Sequence, residues 1–220
     1  MTSALLIFAR RPSPGRVKSR LSPFLSPQEA AELYDCMLRD VIARSAGLEI
    51  ASRFLFYEDD EEAQGYFREI DDELLLLPQE GAGLGERLSN AFDEAFRRGF
   101  RKVAVIGTDS PDLPVACIRE AFLQLESGEA ELLFGPTEDG GYYLAAMAAP
   151  HPELFREMPW STDRLLAASL QRAAKLGLRS ALLPQWYDLD EPADLERPGL
   201  LEEKGGALLT RQYLTKRLMN

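Results

Sequence analysis

Residues 4–21 read ALLIFARRPSPGRVKSRL, and this stretch decides the fold. The first six residues are all apolar, which is typical of a short strand buried on both faces of a parallel sheet. Prolines and a glycine follow at once, so the strand ends in a loop. The pattern therefore predicts a buried strand whose carboxyl end carries a cationic loop, with five basic side chains: Arg10, Arg11, Arg16, Lys18 and Arg20.

Strands and helices alternate along the rest of the chain. The clearest helix begins at Ser26-Pro27, where Glu29 completes a capping signature, and it ends near Gly47. Ser161-Thr162-Asp163 predicts the cap of a helix that runs to Gly177, and two further helices are expected between about 190 and 218, around Gly205-Gly206. This alternation predicts an α/β protein, a single domain over residues 1–220 with a mostly parallel, Rossmann-like sheet flanked by helices. Apolar runs predict the other strands at 53–57, 74–77, 102–107, 131–134, 142–147 and 180–183.

The charge of the chain argues against nucleic acid as a partner. Its 220 residues include 25 basic and 36 acidic side chains, a formal charge of −11, and 45% of them are hydrophobic. This is the composition of an ordinary globular protein, whereas binding duplex nucleic acid requires a basic surface. Residues 1–26 nevertheless hold five cations and no acid. That distribution favours a small anionic ligand at the first loop.

Several other classes of protein do not fit the sequence. Cys36 and Cys117 have no paired spacing typical of a zinc site or a disulfide framework. The single histidine, His151, stands between two prolines, so a histidine-based triad is not expected. The N-terminal apolar run lacks the features of a signal peptide, and no run approaches the roughly 20 residues that span a bilayer. We therefore expect a cytoplasmic protein without a membrane span.

The cationic loop has the chemistry of a phosphate site. Backbone N–H groups near Gly15 can approach an anion closely, Lys18 supplies a point charge, and an arginine supplies a bidentate fork. The segment matches neither the Walker sequence nor GxGxxG. The alternative interpretation is a basic loop that only increases solubility.

Acidic side chains follow other predicted strands. Asp109 is a candidate ligand for a divalent metal, or else it or Ser110 caps the next helix. Asp188 or Asp190 could complete a metal site with Asp109, although Asp190 could instead cap a helix that begins at Pro192. Because the carboxyl ends of parallel strands meet at one edge of a sheet, these groups are expected near the cationic loop.

The turn Glu138-Asp139-Gly140-Gly141 follows the strand at 131–134. Its acids could contact a sugar hydroxyl, a metal-bound phosphate or an attacking nucleophile. An Asp-Gly-Gly turn is also typical of a β-hairpin.

Five motifs in one order resemble a bacterial family. They are FARRPSPGRVKSRL, GTDSPDLP, GPTEDGGYYL, PWSTDR and DLDEPADL, spread over roughly residues 4–195. In this combination the chain resembles the DUF2064 proteins, which have the GT-A fold of nucleotide-diphosphosugar transferases. Members are often labelled glycosyltransferases, and some are named for arsenosugar biosynthesis or radical-SAM-associated gene clusters. The first motif is also similar to the phosphate loop of nucleotidyltransferases that share the fold.

The resemblance implies roles for individual residues. It implies that Asp109, helped by Asp188 or Asp190, binds Mg²⁺ or Mn²⁺, and that Asp139 or Glu138 acts on the acceptor hydroxyl. The chain departs from many metal-dependent glycosyltransferases in lacking an Asp-x-Asp triplet after its fourth strand. The residues implied to bind the nucleotide or its phosphates are Arg10, Gly15, Lys18, Arg20, Gly85, Arg87 and Gly140.

The function that these features predict is metal-dependent transfer of a sugar from a nucleoside diphosphosugar to a small acceptor. One alternative is a nucleotidyltransferase that acts on a nucleoside triphosphate and a small phosphorylated substrate. Another is a non-catalytic nucleotide-binding protein, since a fold does not fix a function. Trp160, Trp186 and Tyr187 could line a pocket or a homodimer interface.

Overall fold

In a computed structural model, which describes residues 2–22, 24–49, 51–202 and 206–218, the chain forms a seven-stranded sheet between helices. The predicted α/β class with a mostly parallel, Rossmann-like sheet is confirmed. The strands are β1 (Ser3–Ala9), β2 (Ser52–Tyr57), β3 (Leu75–Pro78), β4 (Lys102–Ile106), β5 (Leu132–Pro136), β6 (Tyr142–Met147) and β7 (Ser180–Leu182). The α-helices are α1 (Pro27–Ser45), α2 (Ala63–Ile70), α3 (Leu84–Arg97), α4 (Val115–Ser127), α5 (Leu165–Lys175), α6 (Pro198–Leu201) and α7 (Leu208–Leu218).

The strand order is β3-β2-β1-β4-β6-β5-β7. Strand β1 pairs in parallel with β2 on one side and with β4 on the other. Strand β6 runs antiparallel to both of its neighbours, β4 and β5. It follows β5 through a tight turn in which the N–H of Thr137 donates to the carbonyl of Gly141 at 3.1 Å. The hairpin interpretation of the Asp-Gly-Gly turn is therefore confirmed.

The first strand is buried on both faces, as its apolar run predicts. Leu5 and Ile7 pack in a core with residues of α1 and α4. Ala4 and Leu6 point to the opposite core, which includes residues of α3 and α5. Helix α1 begins with the predicted capping box, since the Ser26 hydroxyl accepts from the N–H of Glu29 and the Glu29 carboxylate accepts from the N–H of Ser26. Packing on both faces therefore holds β1 in the sheet, and the capping box defines the start of α1.

The start of α5 differs from the sequence prediction. The segment Ser161-Thr162-Asp163 was expected to cap the helix, but the helix begins at Leu165 with Arg164 at the N-cap and no side-chain cap. The reason is a tertiary contact, because the backbone of Asp163 packs closely against Gly140. Ser161 takes a left-handed φ of 59° in the same loop.

The C-terminal region holds more than the two predicted helices. A 3₁₀ turn at Pro192–Glu196 and the short helix α6 precede α7. Of the predicted break at Gly205-Gly206, Gly205 lies outside the described residues. The buried carboxylate of Asp40 in α1 binds the start of α7. It accepts hydrogen bonds from the N–H of Leu209 at 3.0 Å and from the N–H and the hydroxyl of Thr210, both at 2.8 Å. None of the helices in the described ranges is long and apolar enough to cross a bilayer.

Candidate active site

A cleft of about 700 Å³ opens at the carboxyl ends of β1 and β4. The strand order reverses between these two neighbours, because β2 and β3 extend the sheet on one side of β1 before the chain returns to β4 on the other. Open α/β sheets bind ligands at such a switch point. The cleft is lined by the loops after both strands, by the start of β6 and by side chains from other segments, including Arg10, Arg16, Lys18, Asp109, Trp160 and Asp190.

Lys18 points away from solvent and is bound by acids. Its side chain is 3% exposed, and its ammonium contacts the carboxylate of Asp109. The same nitrogen donates to Asp190 Oδ1 at 2.7 Å and to the carbonyl of Leu189 at 2.8 Å. These partners occupy all three donors of the ammonium. Burial lowers the pKa of Lys18, but Asp109 and Asp190 outweigh it, so the pKa lies above its ordinary value.

The backbone of the loop explains this placement. Lys18 itself has a left-handed conformation, with φ 48° and ψ 37°, before a 3₁₀ turn at Ser19–Leu21. Gly15 also has a left-handed φ of 76°, which glycine adopts without strain. The two left-handed positions fold the loop back toward the end of β4, where Asp109 lies. Glycine at position 15 therefore favours the turn through its backbone freedom, since an added Cβ there would meet nothing within 4 Å.

The arginines of the loop differ in how far their charge is engaged. The Arg10 side chain is 56% exposed, and its Nε lies 3.1 Å from Glu58. Arg20 approaches Asp190 only to 3.9 Å. Arg16 is exposed and lines the cleft, and no ion-pair partner for it occurs among the described residues. The sequence shows that Arg16 belongs to the cationic loop, but Arg16 was not among the residues predicted to bind phosphate. A sequence does not show which cations are already paired with acids.

The acids after β4 and β7 gather beside Lys18. The side chains of Asp109 and Asp190 are 47% and 36% exposed. Asp188 is more buried and accepts a hydrogen bond from the Ser110 hydroxyl at 2.8 Å. Burial first, and then the charge of Asp109, raise the pKa of Asp188 to about 7, against the opposing effect of that hydrogen bond.

Neither alternative role as a helix cap applies to these acids. Helix α4 has Pro114 at its N-cap and no side-chain cap, so Asp109 and Ser110 do not cap it. Glu191, not Asp190, caps the 3₁₀ turn that begins at Pro192. The carboxylate of Asp190 is directed to Lys18 instead.

The acids do not form a ready metal site. In the part of the chain that the structure describes, no three His, Cys, Asp or Glu side chains are grouped to hold a metal ion. Lys18 Nζ lies between Asp109 and Asp190, and Asp188 is bonded to Ser110. Mg²⁺ and related hard cations require several oxygen ligands that are free to coordinate. The donor set present fits an ammonium rather than Mg²⁺ or Mn²⁺.

The turn after β5 is engaged elsewhere. The Glu138 carboxylate accepts hydrogen bonds from Arg197 Nη2 at 2.6 Å and Nη1 at 3.2 Å, and these bonds lower the pKa of Glu138. Asp139 Oδ1 accepts from the Thr137 hydroxyl at 2.5 Å and from the N–H of Gly141 at 3.0 Å, so it stabilises the hairpin turn. Neither acid lines the cleft. The turn is nevertheless close to the acids of the site, because after burial and the charge of Asp109 the charge of Asp139 also raises the pKa of Asp188.

Of the remaining predicted residues, Arg87 lies at the cleft, whereas Gly85 and Gly140 lie in packing contacts. Arg87 lines the cleft, and its Nη1 lies 3.3 Å from Glu58. Gly85 instead packs beneath another loop, since a Cβ there would overlap the Phe155 carbonyl and lie 3.0 Å from the Trp160 indole nitrogen. A Cβ at Gly140 would overlap the backbone of Asp163. Gly85 and Gly140 therefore allow the segment around Trp160 to pack closely.

Two aromatic residues line the cleft, and one of them, Tyr34, was not recognised as a site residue from sequence. The buried Tyr34 hydroxyl accepts from the N–H of Arg10 at 3.1 Å and lies 2.9 Å from the Thr108 hydroxyl, joining the loops after β1 and β4. In the sequence it is one more apolar position on a helix face. Trp160 lines both the cleft and an adjoining groove of about 890 Å³. The sequence left open whether Trp160 lines a pocket or an interface, and the structure places it at a pocket.

Trp186 and Tyr187 have a different setting. The Trp186 indole N–H donates to Asp112 Oδ1 at 3.1 Å, and the Tyr187 hydroxyl donates to Asp112 Oδ2 at 2.5 Å. Asp112 is buried, so these aromatic residues secure the segment after β7 against the loop after β4.

Together, the strand order and the switch-point cleft define an α/β protein with the fold of nucleotide-diphospho-sugar transferases. A Desulfovibrio desulfuricans G20 protein, named provisionally as a nucleotide-diphospho-sugar transferase, matches with a TM-score of 0.83 and 27% identity, over 96% of this chain and 97% of that one. The sequence profile described as "Uncharacterized protein conserved in bacteria (DUF2064)" matches residues 41–162. The chain belongs to the DUF2064 family, as its motifs predict.

Two more distant structures share the fold. A CMP:2-keto-3-deoxy-manno-octonic acid synthetase, solved with CTP, has a TM-score of 0.57 at 13% identity, over 96% of this chain and all of that one. The inositol-1-phosphate CTP transferase from T. maritima has a TM-score of 0.54 at 14% identity, over 96% of both chains. A comparison with curated proteins gave no match.

Proposed function

We propose that this protein, acting as one domain, is a nucleotide-utilising transferase that passes the sugar of a nucleoside diphosphosugar to a small acceptor. The observation that carries the proposal is the switch-point cleft, which has accessible arginines on its β1 side and exposed carboxylates on its β4 side. A volume of about 700 Å³ suits a ligand of nucleotide size. The name given to the Desulfovibrio relative supports the same class of donor.

The arginines are suited to the diphosphate. Arg16 is unpaired among the described residues, and Arg10 is more than half exposed although it also contacts Glu58. A guanidinium can donate two parallel hydrogen bonds to phosphate oxygens. When the bond between the sugar and the diphosphate breaks, negative charge develops on the departing phosphate. Cations already positioned there would stabilise that charge.

The acceptor requires a group that accepts its hydroxyl proton. Such a group must reach the cleft, and Asp109 meets this condition, whereas Glu138 and Asp139 do not line it. We therefore assign proton acceptance to Asp109 and the turn after β5 to a supporting role. The groove of about 890 Å³ beyond Trp160 adjoins the cleft, and it provides a path for the acceptor.

Nucleotidyl transfer is the second candidate. It is favoured by the fold shared with two proteins that are named for the use of CTP. In this reaction the same arginines would hold a triphosphate, and pyrophosphate would leave. The two reactions differ in their products, not in the cleft they require.

Product analysis separates the candidates. The protein is incubated with a panel of nucleoside diphosphosugars plus a mixture of small hydroxyl-bearing acceptors and, separately, with nucleoside triphosphates plus sugar phosphates, each with and without Mn²⁺. Release of a nucleoside diphosphate together with a glycosylated acceptor supports sugar transfer, whereas catalytic release of pyrophosphate contradicts it. A thermal-shift screen of the same ligands first selects the base, because a bound ligand stabilises the folded state in proportion to the logarithm of its concentration over Kd. If no nucleotide shifts the melting temperature, the transferase proposal fails.

A further inference from the structure

The ammonium of Lys18 has no capacity left for a ligand. Its three donors are taken by Asp109, Asp190 and the Leu189 carbonyl, and its side chain is 3% exposed. A phosphate that bound this nitrogen would have to break at least one of these bonds, at the cost of exposing a charged partner. Lys18, which was predicted to hold substrate phosphate, thus uses all its hydrogen bonds within the protein.

The same position is where a divalent cation was expected. Asp109 and Asp190 are two of the three predicted metal ligands, with Asp188 the third, and the space between the carboxylates of Asp109 and Asp190 contains Lys18 Nζ. A divalent ion placed against these carboxylates would lie within a few ångströms of the ammonium, where repulsion between like charges is strong. The positive charge that the two acids require is therefore already supplied by the chain.

We propose that Lys18 is the resident cation of this site. Its ammonium holds Asp109 and Asp190 together in place of Mg²⁺ or Mn²⁺, and a divalent ion can bind the two acids only after the ammonium leaves them. Lys18 is in this sense a positioning residue, since it orients Asp109, the group assigned to the acceptor hydroxyl. Only this last consequence rests on the proposed function.

The test is a Mn²⁺ titration of the full chain without any nucleotide, followed by the electron paramagnetic resonance signal of free Mn²⁺. Wild type is expected to show no saturable site. Lys18→Met, which removes the charge but keeps about the length of the side chain, is expected to gain one saturable site, at least about tenfold tighter than any residual binding of Mn²⁺ to wild type. Adding Asp109→Asn to Lys18→Met should abolish the gained site. Arg20→Met is the matched control, because it removes an exposed cation of the same loop that approaches Asp190 only to 3.9 Å.

Two outcomes overturn the proposal. One is a saturable Mn²⁺ site in wild type that Asp109→Asn removes, and the other is a folded Lys18→Met protein that binds Mn²⁺ no better than wild type. Thermal melting reports whether each variant folds. If Lys18→Met does not fold, the comparison of wild type with Asp109→Asn still decides. Because no nucleotide is present, failure of the transferase proposal leaves this result unaffected.

Discussion

Glu138 and Arg197, which are 59 residues apart in sequence, form a bidentate ion pair with nitrogen–oxygen distances of 2.6 and 3.2 Å. The same guanidinium lies 4.1 Å from the centre of the Tyr187 ring and 3.0 Å from the Asp194 carboxylate. One arginine therefore joins the turn after β5 to the segment that follows β7. Glu138 thereby anchors its neighbours, and unlike Asp109 it does not line the cleft.

The first prediction concerns that acid. Glu138→Gln should keep transferase activity within about tenfold of wild type and lower the free energy of unfolding by at most about 1 kcal/mol, because the pair is partly exposed. Asp109→Asn is the comparison and should reduce kcat by about 100-fold or more. Steady-state kinetics and urea unfolding measure the two effects. A large loss of kcat in Glu138→Gln at unchanged stability would return the catalytic role to Glu138.

The second prediction concerns the unpaired cation of the cleft. Arg16→Ala should weaken binding of the nucleotide selected in the screen by about 1.5–3 kcal/mol, since it removes charged hydrogen bonds to phosphate. Its melting temperature without ligand should stay that of wild type, because the Arg16 side chain has no ion-pair partner in the described ranges, and the bond from its backbone N–H to the Ser13 carbonyl is kept in alanine. Isothermal titration measures the affinity. Arg119→Ala, at an exposed position of α4 away from the cleft, should bind like wild type, and equal affinities in both variants would contradict this assignment.

The third prediction concerns Gly85. Gly85→Ala should lower the free energy of unfolding by about 1–3 kcal/mol, because the added Cβ overlaps the carbonyl oxygen of Phe155 and crowds Trp160. Gly65→Ala is the matched control, since α2 leaves open space at that position and alanine favours the helix by up to about 1 kcal/mol. Urea unfolding with tryptophan fluorescence measures both variants. Equal stability of Gly85→Ala and wild type would show that the packing is looser than described.

The fourth prediction concerns pH. The folded protein favours protonated Asp188, whose pKa of about 7 exceeds its ordinary value of 3.8. The stabilisation from this proton is present below the ordinary pKa and is lost as the pH rises toward and past 7. The groups that face Asp188 are Asp109, Asp190, Asp139 and the Ser110 hydroxyl.

Asp188→Asn keeps a neutral side chain at every pH. Relative to wild type, it should therefore gain about 2–3 kcal/mol of stability between about pH 5 and pH 8. Urea unfolding at a series of pH values measures the difference. A difference that does not change with pH would mean that Asp188 is ionised throughout this range.

Much of the fold could be predicted because its signals are local. The run at 4–9 identified β1, and Ser26, Pro27 and Glu29 identified the start of α1. The antiparallel direction of β6 could not be predicted from its apolar run, because such a run indicates a strand but not its orientation. The anchoring of α7 by Asp40 was missed, because the contact spans 169 residues and a lone acid on a helix carries no sign of its partner.

The sequence indicated several residues of the candidate site, but it did not indicate which of them bond to one another. The cationic loop and Asp109 were both recognised and were both expected near one edge of the sheet. What sequence did not show is that Lys18 bonds to Asp109 across 91 residues and to Asp190 across 172. Two opposite charges at one edge can each bind a ligand or bind one another, and the choice depends on geometry over a few ångströms. Here they bind one another.

The contact between Gly140 and Asp163 affects how the cleft can open. The N–H of Leu166 donates to the Gly140 carbonyl at 2.9 Å, so the hairpin turn and the start of α5 are linked at backbone level. The segment at residues 10–18 is joined to its surroundings through side chains, among them the Tyr34 hydroxyl and the Lys18 ammonium. The two sides of the cleft are therefore held differently, and a single side-chain substitution can remove a bond that holds the arginine-bearing loop, whereas the bond between Leu166 and Gly140 involves only backbone atoms.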